Sequence, residues 1–228
     1  MTTKVNTNVA DIPGAIKNSL RKLQLDYVDL YARPCSRLTL PFGLYFFFYR
    51  GSLTEHLRSY LIHSPFWAKS DSELQHAWAE MEEVQKAGLV KSIGVSNYLP
   101  QHLAAVLKTA KVVPACNQIE FHPYLQRPPL LEVHKQHSIA TVAYGPLTAQ
   151  TKAKPGPVDD FIAALAKKYA VSEGEIAIRW CIDQDVVAVT TSSKVRLHIF
   201  SYLSAPALGS GSFQLGSKEI RTYPSGVR

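Results

Sequence analysis

Leu61-Ile62-His63-Ser64-Pro65 ends an apolar run on a histidine, and its neighbours decide the fold. Downstream, Ile93-Gly94-Val95-Ser96-Asn97 ends a second apolar run in small polar residues. Asn117-Gln118 closes a third and Tyr144-Gly145-Pro146-Leu147 a fourth. Helical patterns lie between them. Polar residues thus recur at the C-terminal ends of successive predicted strands in a β-α-β-α chain. In a (β/α) barrel that end carries the active site, so the pattern predicts an enzyme site spread over several strands.

Working outward, upstream of that histidine Thr2–Val5 reads as a strand. Asp11 caps a helix with Pro13 in its first turn and Ile16, Leu20 and Leu23 on one face. Tyr27–Tyr31 reads as the start of another strand. The periodicity then fails across Ala32–Tyr60, which contains Leu44-Tyr45-Phe46-Phe47-Phe48-Tyr49. That run is far below the roughly 18 apolar residues a membrane span needs. An exposed aromatic run of this kind signals aggregation more often than a membrane anchor.

Downstream, Leu61-Ile62-His63 completes what Tyr27–Tyr31 began. Ser70 and Glu73 form a capping box ahead of Leu74, Trp78, Met81 and Val84, a helix ending near Gly88. The spacing then predicts strands over Val90–Val95, Val112–Ile119, Ile139–Ala143 and Val186–Val189. Helices are predicted over Gln101–Ala110, Pro129–Gln136 and Asp159–Tyr169. A further helix behind a Ser172/Glu175 capping box carries Ile178, Cys181 and Ile182. Strands alternating with helices favour a parallel sheet. After Lys194 the pattern is lost, and 195–228, rich in Ser, Gly and Pro, reads as irregular or disordered.

Composition narrows the function classes. The 228 residues suit one substantial core but are short for an eight-unit barrel of about 250. Cys35, Cys116 and Cys181 are widely spaced and in no CxxC pattern, which argues for a reducing compartment and against a disulfide framework or a metal site. No signal peptide is read at Met1-Thr2-Thr3-Lys4, so a cytoplasmic location is expected. The net charge of +7 invites a nucleic-acid reading. However, the excess sits in Ala32–Tyr60 (Arg33, Arg37, Arg50 and Arg58 against Glu55) and in 195–228, and the rest is near neutral.

With those two segments set aside, the chain resembles the aldo-keto reductases. Joining Tyr31 to Leu61 gives Leu-Asp-Tyr-Val-Asp-Leu-Tyr-Leu-Ile-His-Ser-Pro, similar to that family's fourth strand and its catalytic histidine. Gly94-Val95-Ser96-Asn97, Asn117-Gln118-Ile119-Glu120-Phe121-His122-Pro123 and Tyr144-Gly145-Pro146-Leu147 follow as further signatures in order. The resemblance covers Met1–Tyr31 and Leu61–Lys194. It is nearest to members acting on keto-acid derivatives, keto-amides and small aldehydes. It implies a (β/α)8 TIM barrel binding NADPH without a Gly-rich dinucleotide loop, in keeping with the lack of a GxGxxG here. The implied reaction is hydride transfer to a carbonyl carbon while an acid protonates the developing alkoxide.

The resemblance also implies roles. Lys4 matches the lysine whose ammonium lowers the pKa of the acid, a tyrosine. His63 matches the histidine that orients the carbonyl oxygen. Ser96, Asn97 and Gln118 match the residues that hydrogen-bond the nicotinamide carboxamide, and Tyr144 the aromatic under the nicotinamide ring. Gly145, Pro146 and Leu147 match the loop over the pyrophosphate. Thr191, Ser192 and Ser193 fall where the adenosine 2′-phosphate is gripped. No metal is implied. The expected partner is a small carbonyl substrate, with no nucleic acid or membrane, in a monomer or weak dimer.

Departures from the family pattern set further expectations. The tyrosine and its aspartate lie upstream of the lysine in the family. The reading is an incomplete barrel of about six βα units, lacking the first two and the last helix. It occupies 1–194, is interrupted by 32–60, and is followed by a tail over 195–228. Both odd segments read as translated non-coding sequence, and impaired catalysis is expected. Leu197 stands where the family has an arginine, and Ser64 replaces an aromatic, implying a different or wider pocket.

Plainer roles compete at each position. His63 alone would be a satisfied core histidine, Ser96-Asn97 a turn, Gln118 a partner for backbone groups and Tyr144 a packed aromatic. Trp78 and Met81 are core on any reading. Two other function classes remain: a non-catalytic NADP(H)-binding or interaction protein, and a basic membrane- or nucleic-acid-associated protein.

Overall fold

The computed structural model describes residues 3–5, 11–23 and 60–190, with backbone only at 3–5, 22 and 23. The expectations for 32–59 and 195–228, and for Thr191, Ser192 and Ser193, lie outside the described residues. The chain divides into two compact units, 1–119 with 128–141, and 120–127 with 142–228.

In the first unit β1 (Thr3–Val5), β2 (Tyr60–Ile62), β3 (Ile93–Ser96) and β4 (Cys116–Glu120, whose last residue belongs to the second unit) pair in that order, all parallel. Helices α1 (Ile12–Leu23), α2 (Asp71–Lys86) and α3 (Pro100–Leu107) follow the first three strands, and α4 (Pro128–Gln136) precedes β5 (Ala140–Tyr144). The β2 residues are buried on both faces, as parallel strands covered by helices must be. The second unit holds α5 (Thr148–Thr151), α6 (Asp159–Tyr169), α7 (Glu173–Ile182) and β6 (Val187–Ala188), which pairs parallel with the end of β5.

The apolar spacing of α2 buries Leu74, Ala77, Trp78, Met81 and Val84. Full burial of side chains this size stabilises by about 1.5–3 kcal/mol each. Ser70 caps the helix by accepting from Glu73 N at 3.3 Å. The reciprocal half of the expected box is altered: the Glu73 carboxylate accepts from Lys69 N, at 2.6 Å, rather than from Ser70 N. In α6 the buried stripe is Ile162, Leu165 and Ala166, with Phe161 and Tyr169 only half-buried.

Several expected strands are shorter than their apolar runs. The strand expected over 112–119 is confined to Cys116–Glu120. Trp78 Nε1 donates to Val112 O at 2.9 Å, while Lys111 N and Val112 N donate to Glu82 Oε1 at 2.7 and 2.8 Å. Side chains of α2 have taken the backbone groups a ladder would need. Val112 and Val113 are consequently exposed. Likewise β3 begins at Ile93, three residues after its apolar run begins at Val90. Tyr60, expected inside the irregular segment, is a fully buried β2 residue in register with Thr3 and Ile93. The short helix α5 was not anticipated.

Gly94 is required by packing. A Cβ there would stand 2.7 Å from Leu61 Cδ2 and 2.8 Å from Cys116 O. Cys116 and Cys181 are free, buried thiols. Among the described residues no helix is long and apolar enough to cross a membrane, and no cluster of side chains could hold a metal ion.

Candidate active and cofactor-binding site

The parallel register sets the ends of β2, β3 and β4 level. Ile62 pairs with Val95, and Ser96 with Gln118. His63 follows directly on β2, half-exposed. Ser96 is fully buried and Gln118 nearly so. Ser96 Oγ donates to Gln118 O at 2.7 Å, and Asn97 N donates to the same carbonyl at 2.9 Å.

Asn97 turns the chain away from β3 with φ 61. Asparagine tolerates this left-handed conformation better than most residues. Its Nδ2 donates to His63 O at 3.0 Å and lies 3.1 Å from Ser96 Oγ. One side chain therefore ties the end of β2 to the end of β3. The plainer role of Ser96-Asn97, a turn, is real and coexists with any binding role.

The Gln118 side-chain amide has no hydrogen-bond partner among the described residues, although the residue is only 8% exposed. Neither amide atom is fully buried, so the group can be reached by a ligand. It presents a carbonyl acceptor and an NH2 donor together, the set that complements another primary amide. On donor chemistry, the residues fit a nicotinamide carboxamide. Lys4 lies in β1 in register with Leu61, and its side chain is outside the described residues.

The second unit contributes its own group. Tyr144 ends β5, and Gly145 follows with φ +64, where a Cβ would stand 3.0 Å from Thr148 Oγ1. Glycine is required there on both counts. Gly145 O accepts from Thr148 N, and Leu147 O from Gln150 N and Thr151 N, so α5 grows directly from the Gly145-Pro146-Leu147 turn. Burial raises the Tyr144 hydroxyl pKa, Glu120 raises it further, and Arg127 opposes them. Glu120 Oε1 lies 3.5 Å from Nε2 of the buried His122. Burial lowers the His122 pKa more than Glu120 restores it. The Asn117–Pro123 motif includes Glu120 and His122 without implying a role for either; their signal in the sequence is two titratable residues at the end of a predicted strand.

The structure thus brings His63, Ser96, Asn97 and Gln118 together in one unit, and Tyr144, Gly145, Pro146 and Leu147 in the other. Ser192 joins neither description.

The model of the Aldo/keto reductase family matches residues 2–205. The NAD/NADP-dependent indole-3-acetaldehyde reductase of Schizosaccharomyces pombe is 36% identical over 199 residues, 86% of this chain and 60% of that protein. The NADPH-dependent alpha-keto amide reductase of Saccharomyces cerevisiae is 40% identical over 151 residues, 62% of this chain and 48% of that protein. The chain therefore spans roughly half to three-fifths of these relatives. Among solved structures, an aldo-keto reductase from a Medee basin deep-sea metagenome library superposes with a TM-score of 0.73 at 28% identity, over 100% of this chain and 72% of that one. A Bombyx mori aldo-keto reductase in complex with NADP gives 0.70 at 28% identity, over 96% of this chain and 65% of that one. The parallel β/α architecture is of the TIM-barrel class that the sequence predicted. With most of its length matched by the family model and the ends of β2, β3 and β4 carrying the signature residues, the chain belongs to the aldo/keto reductase family.

Proposed function

We propose that the site serves NADPH-dependent reduction of a small aldehyde or ketone, in the class of keto-amides and keto-acid derivatives. The observation that carries this reading is the Ser96-Asn97-Gln118 group, where Gln118 at the end of a parallel strand has a side-chain amide with no hydrogen-bond partner among the described residues. When bound, the cofactor supplies the hydride. In the first unit Gln118, with Ser96 and Asn97, would hold the nicotinamide carboxamide. By the family resemblance Tyr144 would be the aromatic for the ring, Gly145, Pro146 and Leu147 the pyrophosphate loop, and Ser192 a ligand of the 2′-phosphate. His63 orients the carbonyl oxygen, and Lys4 favours the ionised form of the acid that protonates the alkoxide.

That acid is a tyrosine in the family and stands upstream of the lysine. That role is assigned to none of the described residues, and what is assigned to them is NADPH binding and orientation of the carbonyl. General acid catalysis is worth about 10²–10⁴-fold. The substrate is a small molecule, and the protein acts as a monomer or weak dimer in the cytoplasm.

The test is a titration of tryptophan fluorescence with NADPH, alongside NADPH oxidation with a simple aldehyde. Saturable quenching supports the reading, NADPH oxidation with the aldehyde extends it to catalysis, and absence of binding overturns the cofactor assignment. Gln118→Leu is expected to weaken NADPH binding about tenfold, the equivalent of one or two hydrogen bonds. Unchanged affinity would remove Gln118 from the site.

A further inference from the structure

A buried polar chain runs behind the Ser96-Asn97-Gln118 group, wholly inside the first unit. Asn117 is fully buried, His134 is 1% exposed and Thr141 is 7% exposed. Asn117 Nδ2 donates to Tyr98 O at 2.8 Å, and Asn117 Oδ1 accepts from Tyr98 N at 3.3 Å. The same Nδ2 lies 2.9 Å from His134 Nε2, and His134 Nδ1 lies 2.8 Å from Thr141 Oγ1.

This geometry assigns the amide and ring protons. The paired bonds to Tyr98 fix which way the Asn117 amide points, because a flipped amide would set oxygen against oxygen and N–H against N–H. Nδ2 therefore faces His134. It has only hydrogens to offer, so His134 Nε2 must be the acceptor. The ring proton then sits on Nδ1 and donates to Thr141 Oγ1. A charged imidazolium would turn Nε2–H against Nδ2–H, so the chain requires neutral histidine. Burial works the same way, pushing the His134 pKa down to about 4.

Asn117 and Tyr98 are the residues next to Gln118 and Asn97. Whatever holds the Asn117 amide to the Tyr98 backbone also holds the two strand ends in register. We propose that His134 is a positioning residue, holding Asn117 against the Tyr98 backbone and so setting Asn97 and Gln118 for the cofactor amide. The proposal rests on the cofactor reading above. A core histidine chosen only for packing would need no acceptor aimed at Asn117.

His134→Leu removes the acceptor at similar bulk, whereas His134→Gln can present an acceptor oxygen at about the same reach. Two readouts decide: the NADPH Kd from fluorescence quenching, and amide hydrogen exchange at Tyr98, whose N–H is held by Asn117. His134→Leu is expected to raise the Kd about five- to tenfold and to speed Tyr98 exchange. His134→Gln should restore most of both, which a packing role would not do. Should His134→Leu fail to fold, Thr141→Val, which removes the hydroxyl that accepts the Nδ1 proton, is expected to act in the same direction with smaller effect. Wild-type Kd with a protected Tyr98 amide in His134→Leu overturns the proposal, as does failure of glutamine to rescue. If the unmodified protein does not bind NADPH, the cofactor reading fails by itself. Tyr98 exchange in His134→Leu then judges the clamp alone, and unchanged exchange rejects it.

Discussion

Asn97 is a structural fastening between the ends of β2 and β3, whatever else it binds. Its left-handed backbone and its bond to the His63 carbonyl hold the strand ends together. Replacing it would disturb geometry as well as any ligand, which makes Gln118 the cleaner probe. His134 makes a separate prediction about acid stability. Its folded pKa of about 4 lies below the unfolded value of 6.5. The unfolded chain therefore binds the proton first as pH falls. The stabilisation is fully present above pH 6.5, is lost as pH falls toward 4, and changes no further below that. The loss amounts to about 3 kcal/mol. The groups touching the ring, Asn117 and Thr141, are both neutral and do not offset it. Melting curves of unmodified protein and His134→Gln between pH 7 and 4 should converge, the unmodified protein losing more. Parallel curves would show that His134 is not the titrating group. Differencing the two removes the contributions of His102 and His122, which burial also lowers.

At the scale of elements, periodicity located most helices well, because their burial repeats every turn. Asp159–Tyr169 and Glu173–Ile182 lie where the pattern placed them. The Ser172 cap is complete: Glu175 N donates to Ser172 Oγ at 3.2 Å, and Ser172 N donates to Glu175 Oε2 at 2.8 Å. Ser172→Ala is expected to cost about 1 kcal/mol, read as a lower denaturant midpoint at unchanged slope. A shift under a few tenths would mean that neighbouring packing, not the cap, starts α7. Strands were harder to delimit. Val112 and Val113 read as strand residues, but Trp78 and Glu82 claim the local backbone groups. A competing partner on another element leaves no mark on the strand's own residues. The chain Asn117-His134-Thr141 was missed for the same reason. Each is a single polar residue in an apolar pattern, and only their meeting gives them a shared role.

At the scale of the whole molecule, Tyr60 bears on how the chain is assembled. It is buried in β2 with the same neighbours along the strand that Tyr31 would have if joined to Leu61. Deleting 32–60 leaves the sequence Tyr-Leu-Ile-His intact. The shortened protein is expected to melt at the same temperature or higher, and to bind NADPH no more weakly. A clear fall in melting temperature would show that 32–60 supports the fold and would end its reading as a foreign insertion. By itself the sequence determined the family, the alternation of strands and helices and the order of the site residues, because these depend on local spacing and on short motifs. Only the tertiary structure decided that Asn97 bonds to the His63 carbonyl, that the Gln118 amide has no partner among the described residues, and that a helix histidine reaches Asn117. Those facts depend on which strands lie side by side and in what register. Hydrogen bonds between residues tens of positions apart form only once parallel strands have set their ends level.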